Sequence, residues 1–259
     1  MSGPPPSLPP PPPPDARWAL FLDVDGCLLD FAATPDGVSV PPALRDTLTA
    51  CADALGGALA LVSGRTLETL DALFAPLVLP AGGLHGLERR HGDTSAVGPR
   101  RPPALAAVSR AADALAECHP GSIVEDKGAT LALHWRSAAA GAEDALQAFA
   151  LEALRQLPGY RMQHGKHVVE LRPGGDGHGG AHADKGSAIA AFLDEPPFSG
   201  RVPVFAGDDL TDEHGFAVVN ARGGISILVG ERPGSAARHG LRDPSDVRAW
   251  LAQLPGDIA

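Results

Sequence analysis

Short runs of consecutive apolar residues alternate with amphipathic stretches over much of the chain. Continuous apolar runs are typical of strands buried on both faces, and they predict strands at Trp18–Leu22, Ala58–Val62, Leu77–Leu79, Val202–Ala206 and Ile225–Val229. Helical periodicity follows these runs, at about Pro42–Leu55, Thr66–Phe74 and Asp184–Leu193, from Thr211, and from Asp243. Buried strands that alternate with helices predict an α/β fold, a parallel sheet with helices on both faces.

The pattern changes between about residues 87 and 173. Two helical stretches, about Pro103–Cys118 and Ala142–Gln156, alternate here with strands that mix polar and apolar positions, Thr130–Arg136 and His167–Arg172. Such strands fit an antiparallel sheet with helices on one side. We therefore predict an α+β domain at 87–173, inserted into a core that consists of 17–86 and 174–259.

Two segments of biased composition lie outside these patterns. Nine of the first fourteen residues are proline, which favours polyproline II, so we predict that 1–16 is a disordered tail or a ligand for a proline-binding domain. The stretch Gly174–Gly180 is predicted to be a hinge or surface loop. His178 lies in this stretch and His182 follows it, and we expect both to be solvated residues in preference to metal ligands.

Charge and cysteine content exclude several classes of protein. Lys and Arg number 21 against 31 Asp and Glu, a net charge of −10, which argues against binding to nucleic acid or an anionic membrane. A phosphorylated small-molecule substrate stays possible, because a site can be locally basic or hold a metal. Cys27, Cys51 and Cys118 lack the spacing of a disulfide scaffold or zinc site. With neither a long apolar run nor signal-peptide features, we expect a soluble, cytoplasmic protein.

Polar residues follow the predicted strands at three points. They are Asp23 and Asp25; Ser63 and Arg65; and Asp208, Asp209, Asp212 and Glu213. In open α/β sheets, ligands bind outside the carboxyl ends of the strands, so these groups are expected to converge on one crevice. Carboxylates close together need a compensating cation or protonation, and ligands that offer only oxygen suit a hard cation such as Mg²⁺.

The residue types also predict a division of roles. Residues two apart on an extended strand point the same way, so Asp23 and Asp25 can both face the crevice while Val24 faces the core. Two carboxylates in different surroundings can act as nucleophile and as acid/base. Ser63 offers a hydroxyl to a phosphate oxygen, and Lys185, in the first turn of its helix, adds a positive charge beside backbone donors.

The order of these motifs resembles that of the haloacid dehalogenase superfamily of phosphatases. Its first motif matches Asp23–Cys27, its second Ser63, its third Lys185 and its fourth Gly207–Asp209. The insertion lies between the second and third motifs, where that superfamily places its larger cap domain. The resemblance thus implies a Rossmann-like parallel-sheet core with an inserted α+β cap.

Longer phrases are similar to those of the trehalose-6-phosphate phosphatases, from about Trp18 to the C-terminal helix. They are Ser63–Arg65, Leu84–Glu88, Val124–Gly128, Leu131–Arg136, Gly165–Pro173, Asp184–Gly186 and Gly207–Glu213. The resemblance implies Mg²⁺-dependent hydrolysis of trehalose 6-phosphate to trehalose and phosphate, the last step of trehalose biosynthesis. One position departs: Cys27 stands where the family usually has threonine. Because a thiol is a weaker donor, we expect tuned activity rather than its loss.

The same resemblance implies a role for each candidate residue. Asp23 forms an aspartyl phosphate, Asp25 acts as acid and then base, and Ser63 and Lys185 hold the phosphoryl oxygens. Mg²⁺ is held by the Asp23 carboxylate, the Asp25 backbone carbonyl and Asp208, with Asp209 and Asp212 nearby. The substrate-binding residues are Gly64, Arg65 and His85 in the core and Glu125, Lys127, Arg136, Lys166 and Glu170 in the cap, whose closure would exclude water.

Three other functions stay open at this point. A phosphatase of the same architecture could act on another sugar phosphate, such as sucrose 6-phosphate. A phosphosugar mutase would keep the motifs but retain the phosphoryl group. A non-catalytic binding module is the third, and intact Asp23, Asp25, Lys185 and Asp208 argue against it. The expected partner is a small-molecule sugar phosphate, with neither nucleic acid nor membrane.

Overall fold

The structure, a computed structural model, describes residues 8–31, 37–91, 98–174 and 183–253. Two compact units divide the chain: Met1–Val97 with Asp184–Ala259, and Gly98–Ala183. The strands are β1 Trp18–Leu22, β2 Leu59–Val62, β3 Ala81–Gly83, β4 Glu88–Arg90, β5 Ile123–Asp126, β6 Leu131–His134, β7 Tyr160–Gly165, β8 Val168–Pro173, β9 Val202–Gly207, β10 Ile225–Val229 and β11 His239–Leu241. The helices are α1 Pro42–Ala54, α2 Leu67–Phe74, α3 Pro103–Glu117, α4 Ala142–Ala153, α5 Lys185–Leu193, α6 Glu213–Ala221 and α7 Pro244–Leu251.

The core unit is built on a seven-stranded sheet in the order β11-β10-β9-β1-β2-β3-β4. Its strands are parallel except β4, which runs antiparallel to β3. Helix α1 packs with α7, and α5 packs with α6. The central strand β1 is buried along its whole length, as its five apolar residues require. The predicted α/β class is confirmed.

Side-chain caps fix where three helices of this unit begin. Thr66, Asp184 and Asp243 each accept a hydrogen bond from a backbone N–H three residues later, at 3.0, 2.7 and 3.0 Å. Such caps satisfy N–H groups that have no partner inside the helix. The predicted helix starts at these residues are therefore confirmed, and Lys185 is held in the first turn of α5.

The predicted strand Leu77–Leu79 is wrong. The structure pairs the later segment β3 with β2, in the register Leu61 opposite Ala81. Pro76 and Pro80 bracket the predicted strand, and a proline has no N–H to donate to a sheet. The carbonyl of Pro80 instead accepts a hydrogen bond from the N–H of Leu61 at 3.0 Å, which leads the chain into β3.

Two short polar strands were also missed, and one of them bears on the domain boundary. Strand β4 lies after the predicted boundary at residue 86, yet it pairs with β3 and so belongs to the core unit. Its three residues are charged, and Arg90 forms an ion pair with Asp71 on α2. A strand of charged residues carries no apolar signal in the sequence. The far edge strand β11 was missed for a different reason, because it is only three residues long and half-buried.

The predicted proline tail contacts the core unit where the structure describes it, from residue 8. Leu8 packs against the hydrophobic core, and the carbonyl of Pro9 accepts a hydrogen bond from the N–H of Gly240 in β11 at 2.9 Å. This segment therefore covers the edge of the sheet, which corrects the predicted disordered tail for residues 8–16, while residues 1–7 lie outside the described residues. Since proline offers no N–H, no further strand can pair with it there in the usual way.

The inserted unit is an antiparallel sheet in the order β5-β6-β8-β7 with α3 and α4. Its core contains the buried side chains of Leu131, Leu133, Val169 and Leu171 together with apolar residues of both helices. Alternation along the strands leaves the other sheet face polar. Strands β5 and β7 were not predicted, because neither is buried along its length. Most of the glycine-rich stretch 174–180 and His182 lie outside the described residues.

Helix length and polarity bear on the prediction that the chain has no membrane-spanning apolar run. None of the seven helices in the described part of the chain combines the length and apolar character that a bilayer-spanning helix needs.

Candidate active site

Three neighbouring strands end beside one another and deliver the predicted groups to one edge of the sheet. Asp23 follows β1, Ser63 follows β2 and Asp208 follows β9, and β1 pairs with both of the others. The N–H of Asp23 donates to the carbonyl of Ala206 at 2.9 Å, which continues the ladder to the site. The predicted convergence is therefore confirmed for Asp23, Ser63 and Asp208. Asp23 and Ser63 are buried, at 4% and 1% exposed.

A buried lysine links two of the carboxylates. Lys185 Nζ lies 2.9 Å from Asp23 Oδ1 and 2.6 Å from Asp212 Oδ1. Burial alone would lower the pKa of Lys185, but the charges of Asp212 and Asp23 outweigh it and raise the pKa above its ordinary value. The lysine is therefore a permanent cation at the end of β1. The sequence predicted its charge here, and the structure supplies its partners.

Asp212 organises the acidic segment that follows β9. Its Oδ2 accepts hydrogen bonds from the N–H groups of Asp208 and Asp209, at 3.0 and 2.9 Å, while its Oδ1 faces Lys185. Both oxygens of this fully buried carboxylate are thus engaged with the protein. Asp209 is partly buried and accepts from the N–H of Leu210 at 2.6 Å. Glu213, the last acid of the segment, binds Arg232 at 2.6 Å instead of joining the site.

Asp23, Asp208 and Asp212 form a compact set of oxygen donors. One carboxylate oxygen of each lies within 4.8 Å of the others. Burial, and then the charge of Asp212, raise the pKa of Asp208 to about 7. Burial also raises the pKa of Asp23, although Lys185 opposes that effect. Asp208 Oδ1 is buried with no hydrogen-bond partner in the described protein. This oxygen can therefore act as a ligand to a cation.

Asp25, the second acid of the first motif, has a different partner. Arg65 holds it in a two-pronged ion pair, with Nε donating to Oδ2 and Nη2 donating to Oδ1, both at 2.7 Å. Gly26 then turns the chain with φ of 82°, a conformation that glycine adopts readily. Cys27, next in the turn, is fully buried, and burial raises the pKa of its thiol well above the ordinary range. The thiol is therefore neutral beside the acidic cluster.

The second motif is packed tightly against the turn that holds His85. The carbonyl of Ser63 accepts from the N–H of His85 at 2.9 Å, and Ser63 Oγ accepts from the N–H of Arg65 at 3.2 Å. A Cβ at Gly64 would lie 2.5 Å from His85 Nε2, so only glycine leaves room for the imidazole. Residues 63–65 and His85 thus form one structural group within the core unit.

In the inserted unit, Glu125, Lys127 and Glu170 share the polar sheet face. Strand register places Glu125 and Glu170 on either side of Ala132, whose small side chain leaves room for Lys127 between them. Lys127 Nζ lies between the two acids, 3.7 Å from Glu125 Oε2 and 3.8 Å from Glu170 Oε1. Acceptors and a donor therefore alternate across the face, as binding of sugar hydroxyls requires.

Three residues beside this cluster were missed in the sequence. Thr130 Oγ1 donates to Glu170 Oε1 at 2.6 Å, His134 Nε2 lies 2.9 Å from Glu125 Oε2, and Gln163 stands opposite Glu170 in the register. Alternation along β6 and its flanks was the available signal, because Thr130 and His134 lie on the face opposite to Leu131 and Leu133.

Arg136 and Lys166, the other predicted cap residues, are exposed. Arg136 follows β6, and Lys166 lies in the turn between β7 and β8. Their predicted contact with the substrate stays a prediction.

Comparison with known proteins gives one consistent result. The family model for trehalose-phosphatase matches residues 21–245. A probable trehalose-phosphate phosphatase from Sinorhizobium fredii is 43% identical over 92% of this chain and 88% of its own. The trehalose-6-phosphate phosphatase of Escherichia coli is also 43% identical, over 92% of this chain and 87% of its own.

Solved structures agree on the fold. The C-terminal domain of the Candida albicans trehalose-6-phosphate phosphatase superposes with a TM-score of 0.75 at 20% identity, over 93% of this chain and 92% of that one. A trehalose-6-phosphate phosphatase related protein also gives 0.75, at 24% identity, over 92% of this chain and 96% of that one.

Proposed function

The chain belongs to the trehalose-phosphatase family, and on that premise we propose that it hydrolyses trehalose 6-phosphate to trehalose and inorganic phosphate. The observation that carries the proposal is the arrangement at the end of β1. Asp23 is buried there, 2.9 Å from the Lys185 ammonium, beside Ser63 and Asp208. A buried carboxylate next to a fixed cation and a hydroxyl suits attack on a phosphoryl group.

In the proposed reaction, Asp23 is the nucleophile. One of its carboxylate oxygens bonds to phosphorus as the bond from phosphorus to the sugar oxygen O6 breaks. Lys185 and the Ser63 hydroxyl stabilise the charge on the phosphoryl oxygens during this transfer. Water then attacks the aspartyl phosphate, which releases inorganic phosphate and restores the Asp23 carboxylate. The difficult displacement is thereby divided into two easier ones.

Asp25 supplies and removes the protons in this scheme. It donates a proton to O6 of the leaving sugar and later takes one from the attacking water. Both carboxylate oxygens of Asp25 accept hydrogen bonds from Arg65 in this structure. Proton donation in the first step therefore requires Asp25 to leave Arg65. Arg65 is itself a predicted substrate-binding residue, so an incoming phosphate dianion can compete for it.

We further propose that Asp23 and Asp208 hold Mg²⁺, with the backbone carbonyl of Asp25 and with Asp209 and Asp212 close by. The donor set fits this cation, because every candidate ligand is an oxygen and Asp208 Oδ1 is buried without a partner in the described protein. When bound, Mg²⁺ neutralises charge on the phosphoryl group and orients it. Asp212 serves mainly to fix Lys185 and the backbone of Asp208.

Stability should depend on pH in a way that reports the acidic cluster. The pKa of Asp208 is about 7 in the folded protein, whereas an unfolded chain has an Asp pKa of about 4. The unfolded state therefore loses its proton first, and the metal-free protein should lose stability as the pH rises from about 4 to about 7. Mg²⁺ binds the ionised form, so it should raise Tm by about 5 °C near pH 8 and much less near pH 5.

Thermal denaturation in chelator and in Mg²⁺, at both pH values, measures this effect. The variant Asp208→Asn carries no titrating group at this position, so its stability should vary less with pH and respond less to Mg²⁺. A Tm that rises equally with Mg²⁺ at both pH values would contradict a site made of these carboxylates.

Product analysis tests the proposed function itself. The purified full chain is incubated with trehalose 6-phosphate and Mg²⁺, and trehalose and inorganic phosphate are measured separately. We expect the two products in equal amounts, and no turnover in excess chelator. Retention of the phosphoryl group on an isomerised sugar would indicate a mutase, and absence of any turnover would contradict the proposal.

A further inference from the structure

The turn that follows β3 holds a backbone conformation that its residues do not favour. Leu84 and His85 have φ of 48° and 53°, in the left-handed region that residues with a Cβ rarely adopt. Backbone strain of this kind persists only where surrounding contacts impose it, and it is concentrated at functional sites. The contacts that impose this turn therefore indicate its role.

Both residues of the turn hold the second motif through their backbone. The N–H of Leu84 donates to the carbonyl of Arg65 at 2.8 Å, and the N–H of His85 donates to the carbonyl of Ser63 at 2.9 Å. The left-handed conformation thus directs two successive N–H groups at one short segment of chain. Residues 63–65 are thereby fixed against the end of β3.

The same turn meets the start of α5. Gly86 has φ of 94°, and a Cβ on it would clash with the carbonyl oxygen of Asp184, the N-cap residue of α5. Lys185 follows Asp184 directly, so the turn lies between the backbone segments that carry Ser63 and Lys185. These two residues hold the phosphoryl oxygens in the proposed reaction, so a shift of the turn would change the spacing between them.

Glu88, at the start of β4, holds the next part of the same segment with its side chain. Its Oε2 accepts a hydrogen bond from the N–H of Leu67, the first residue of α2, at 2.8 Å. Strand register places Glu88 opposite Gly83, and a Cβ on Gly83 would lie 2.9 Å from Glu88 Oε2 and 3.0 Å from the carbonyl oxygen of Arg65. The carboxylate therefore passes beside Gly83, close to the backbone of Arg65, to reach α2.

The strained turn and Glu88 together form a clamp on the chain from Ser63 to Leu67. The turn holds the carbonyls of residues 63 and 65 through backbone hydrogen bonds, and Glu88 holds the N–H of Leu67. Arg65 lies between the outer attachments, and its guanidinium binds both carboxylate oxygens of Asp25. The position of Asp25 therefore depends on the clamp.

We propose that Glu88 is a positioning residue for the reaction at the phosphoryl group. It fixes the backbone that carries Ser63 and Arg65, and through Arg65 it places Asp25. This inference rests on the proposed function. Attack of water on the aspartyl phosphate, in which Asp25 takes the proton, is common to every phosphate ester that the site accepts. The effect of Glu88 therefore extends to esters that contain no sugar.

Steady-state kinetics of three Glu88 variants tests the assignment. Trehalose 6-phosphate is compared with acetyl phosphate, which has no sugar. In Glu88→Ala, which lacks the acceptor for Leu67, kcat/KM should fall about tenfold for both esters, because small displacements of reacting groups are costly. Glu88→Gln keeps an oxygen acceptor at the same place and should stay within about twofold of wild type. Glu88→Asp keeps the charge but not the reach, so it should resemble Glu88→Ala.

Amide hydrogen exchange measures the positioning directly. In Glu88→Ala the N–H groups of Leu67, Leu84 and His85 should exchange at least about tenfold faster than in wild type, because the clamp opens locally. The N–H groups of β1 should keep their protection, since the sheet itself is unchanged. Glu88→Gln should exchange like wild type.

Glu68→Ala is the matched control, because Glu68 is an exposed carboxylate in the first turn of the same helix. The substitution removes a negative charge at the same end of α2 and leaves the hydrogen bond to Leu67 in place. Both activities and all exchange rates should therefore stay at their wild-type values.

A lower Tm with unchanged kcat/KM in Glu88→Ala and Glu88→Asp would show that Glu88 only stabilises the fold, and would overturn the assignment. So would a loss confined to trehalose 6-phosphate, which would place Glu88 in recognition of the sugar. If Glu88→Ala does not fold, Glu88→Asp against Glu88→Gln gives the same comparison. If the wild type hydrolyses acetyl phosphate but not trehalose 6-phosphate, the proposed function fails, while acetyl phosphate and hydrogen exchange still test the clamp.

Discussion

Replacing Asp23 with asparagine should lower kcat for trehalose 6-phosphate by at least about a thousandfold. The amide has nearly the shape of the carboxylate, but its oxygen is not an anion and does not attack phosphorus. In the structure Asp25 is paired with Arg65, and both oxygens of Asp212 are engaged, so neither is placed to attack in its stead. Phosphate release at saturating substrate and Mg²⁺ measures the loss.

The Asp23→Asn variant should still fold. The substitution weakens the ion pair with Lys185, but it also removes a buried charge that Asp208 and Asp212 repel. Thermal denaturation should therefore give a Tm close to that of the wild type. Asp53→Asn, an exposed position on α1, is the matched control and should retain full activity. If Asp23→Asn kept a tenth of normal turnover, the covalent mechanism would be wrong.

Glu170→Gln should reduce kcat/KM for trehalose 6-phosphate by about 100-fold while leaving acetyl phosphate turnover nearly unchanged. Glu170 is 5% exposed, and its carboxylate accepts from Thr130 and faces Lys127. The amide can still accept from Thr130, so the local structure should persist. It cannot offer two strong acceptors to sugar hydroxyls, and a site built to bond hydroxyls is sensitive to each unpaired group.

The ratio of kcat/KM for trehalose 6-phosphate to kcat/KM for acetyl phosphate shows whether the polar sheet face of the inserted unit binds the sugar. Glu125→Gln should lower the ratio in the same direction and by less, because Glu125 is more exposed and is shared with His134. Glu152→Gln, on the exposed surface of α4, is the control with no expected effect. Equal losses on both substrates in Glu170→Gln would show that the residue supports the fold or the core site instead of binding the sugar.

Much of the core site could be predicted because its residues follow buried strands. The bounds of Trp18–Leu22 and Ile225–Val229 were predicted without error, because a continuous apolar run is typical of a strand buried on both faces of a parallel sheet. Once β1, β2 and β9 were placed, the rule that ligands bind at the carboxyl ends of parallel strands predicted that Asp23, Ser63 and Asp208 lie close together. Capping residues fixed the start of α5 and thereby the position of Lys185.

What could not be predicted depends on contacts between residues distant in sequence. The local pattern of apolar and polar residues does not predict the ion pair of Arg65 with Asp25. Nor does it predict the two hydrogen bonds that Asp212 accepts from the backbone. Strand β4 is charged and recognisable only through its pairing with β3. The partners of Glu170 depend on strand register, which apolar alternation alone does not specify across four strands. Leu77–Leu79 shows the opposite error, an apolar run without a sheet partner.

The most direct test compares kcat/KM for trehalose 6-phosphate with the values for sucrose 6-phosphate and glucose 6-phosphate, all with Mg²⁺ and the purified full chain. A site that binds both rings of trehalose should favour trehalose 6-phosphate over each of the others by at least about 100-fold. Glucose 6-phosphate lacks the second ring, and sucrose 6-phosphate replaces it with a different one. Equal efficiencies for the three esters, or a preference for sucrose 6-phosphate, would contradict a trehalose-6-phosphate phosphatase.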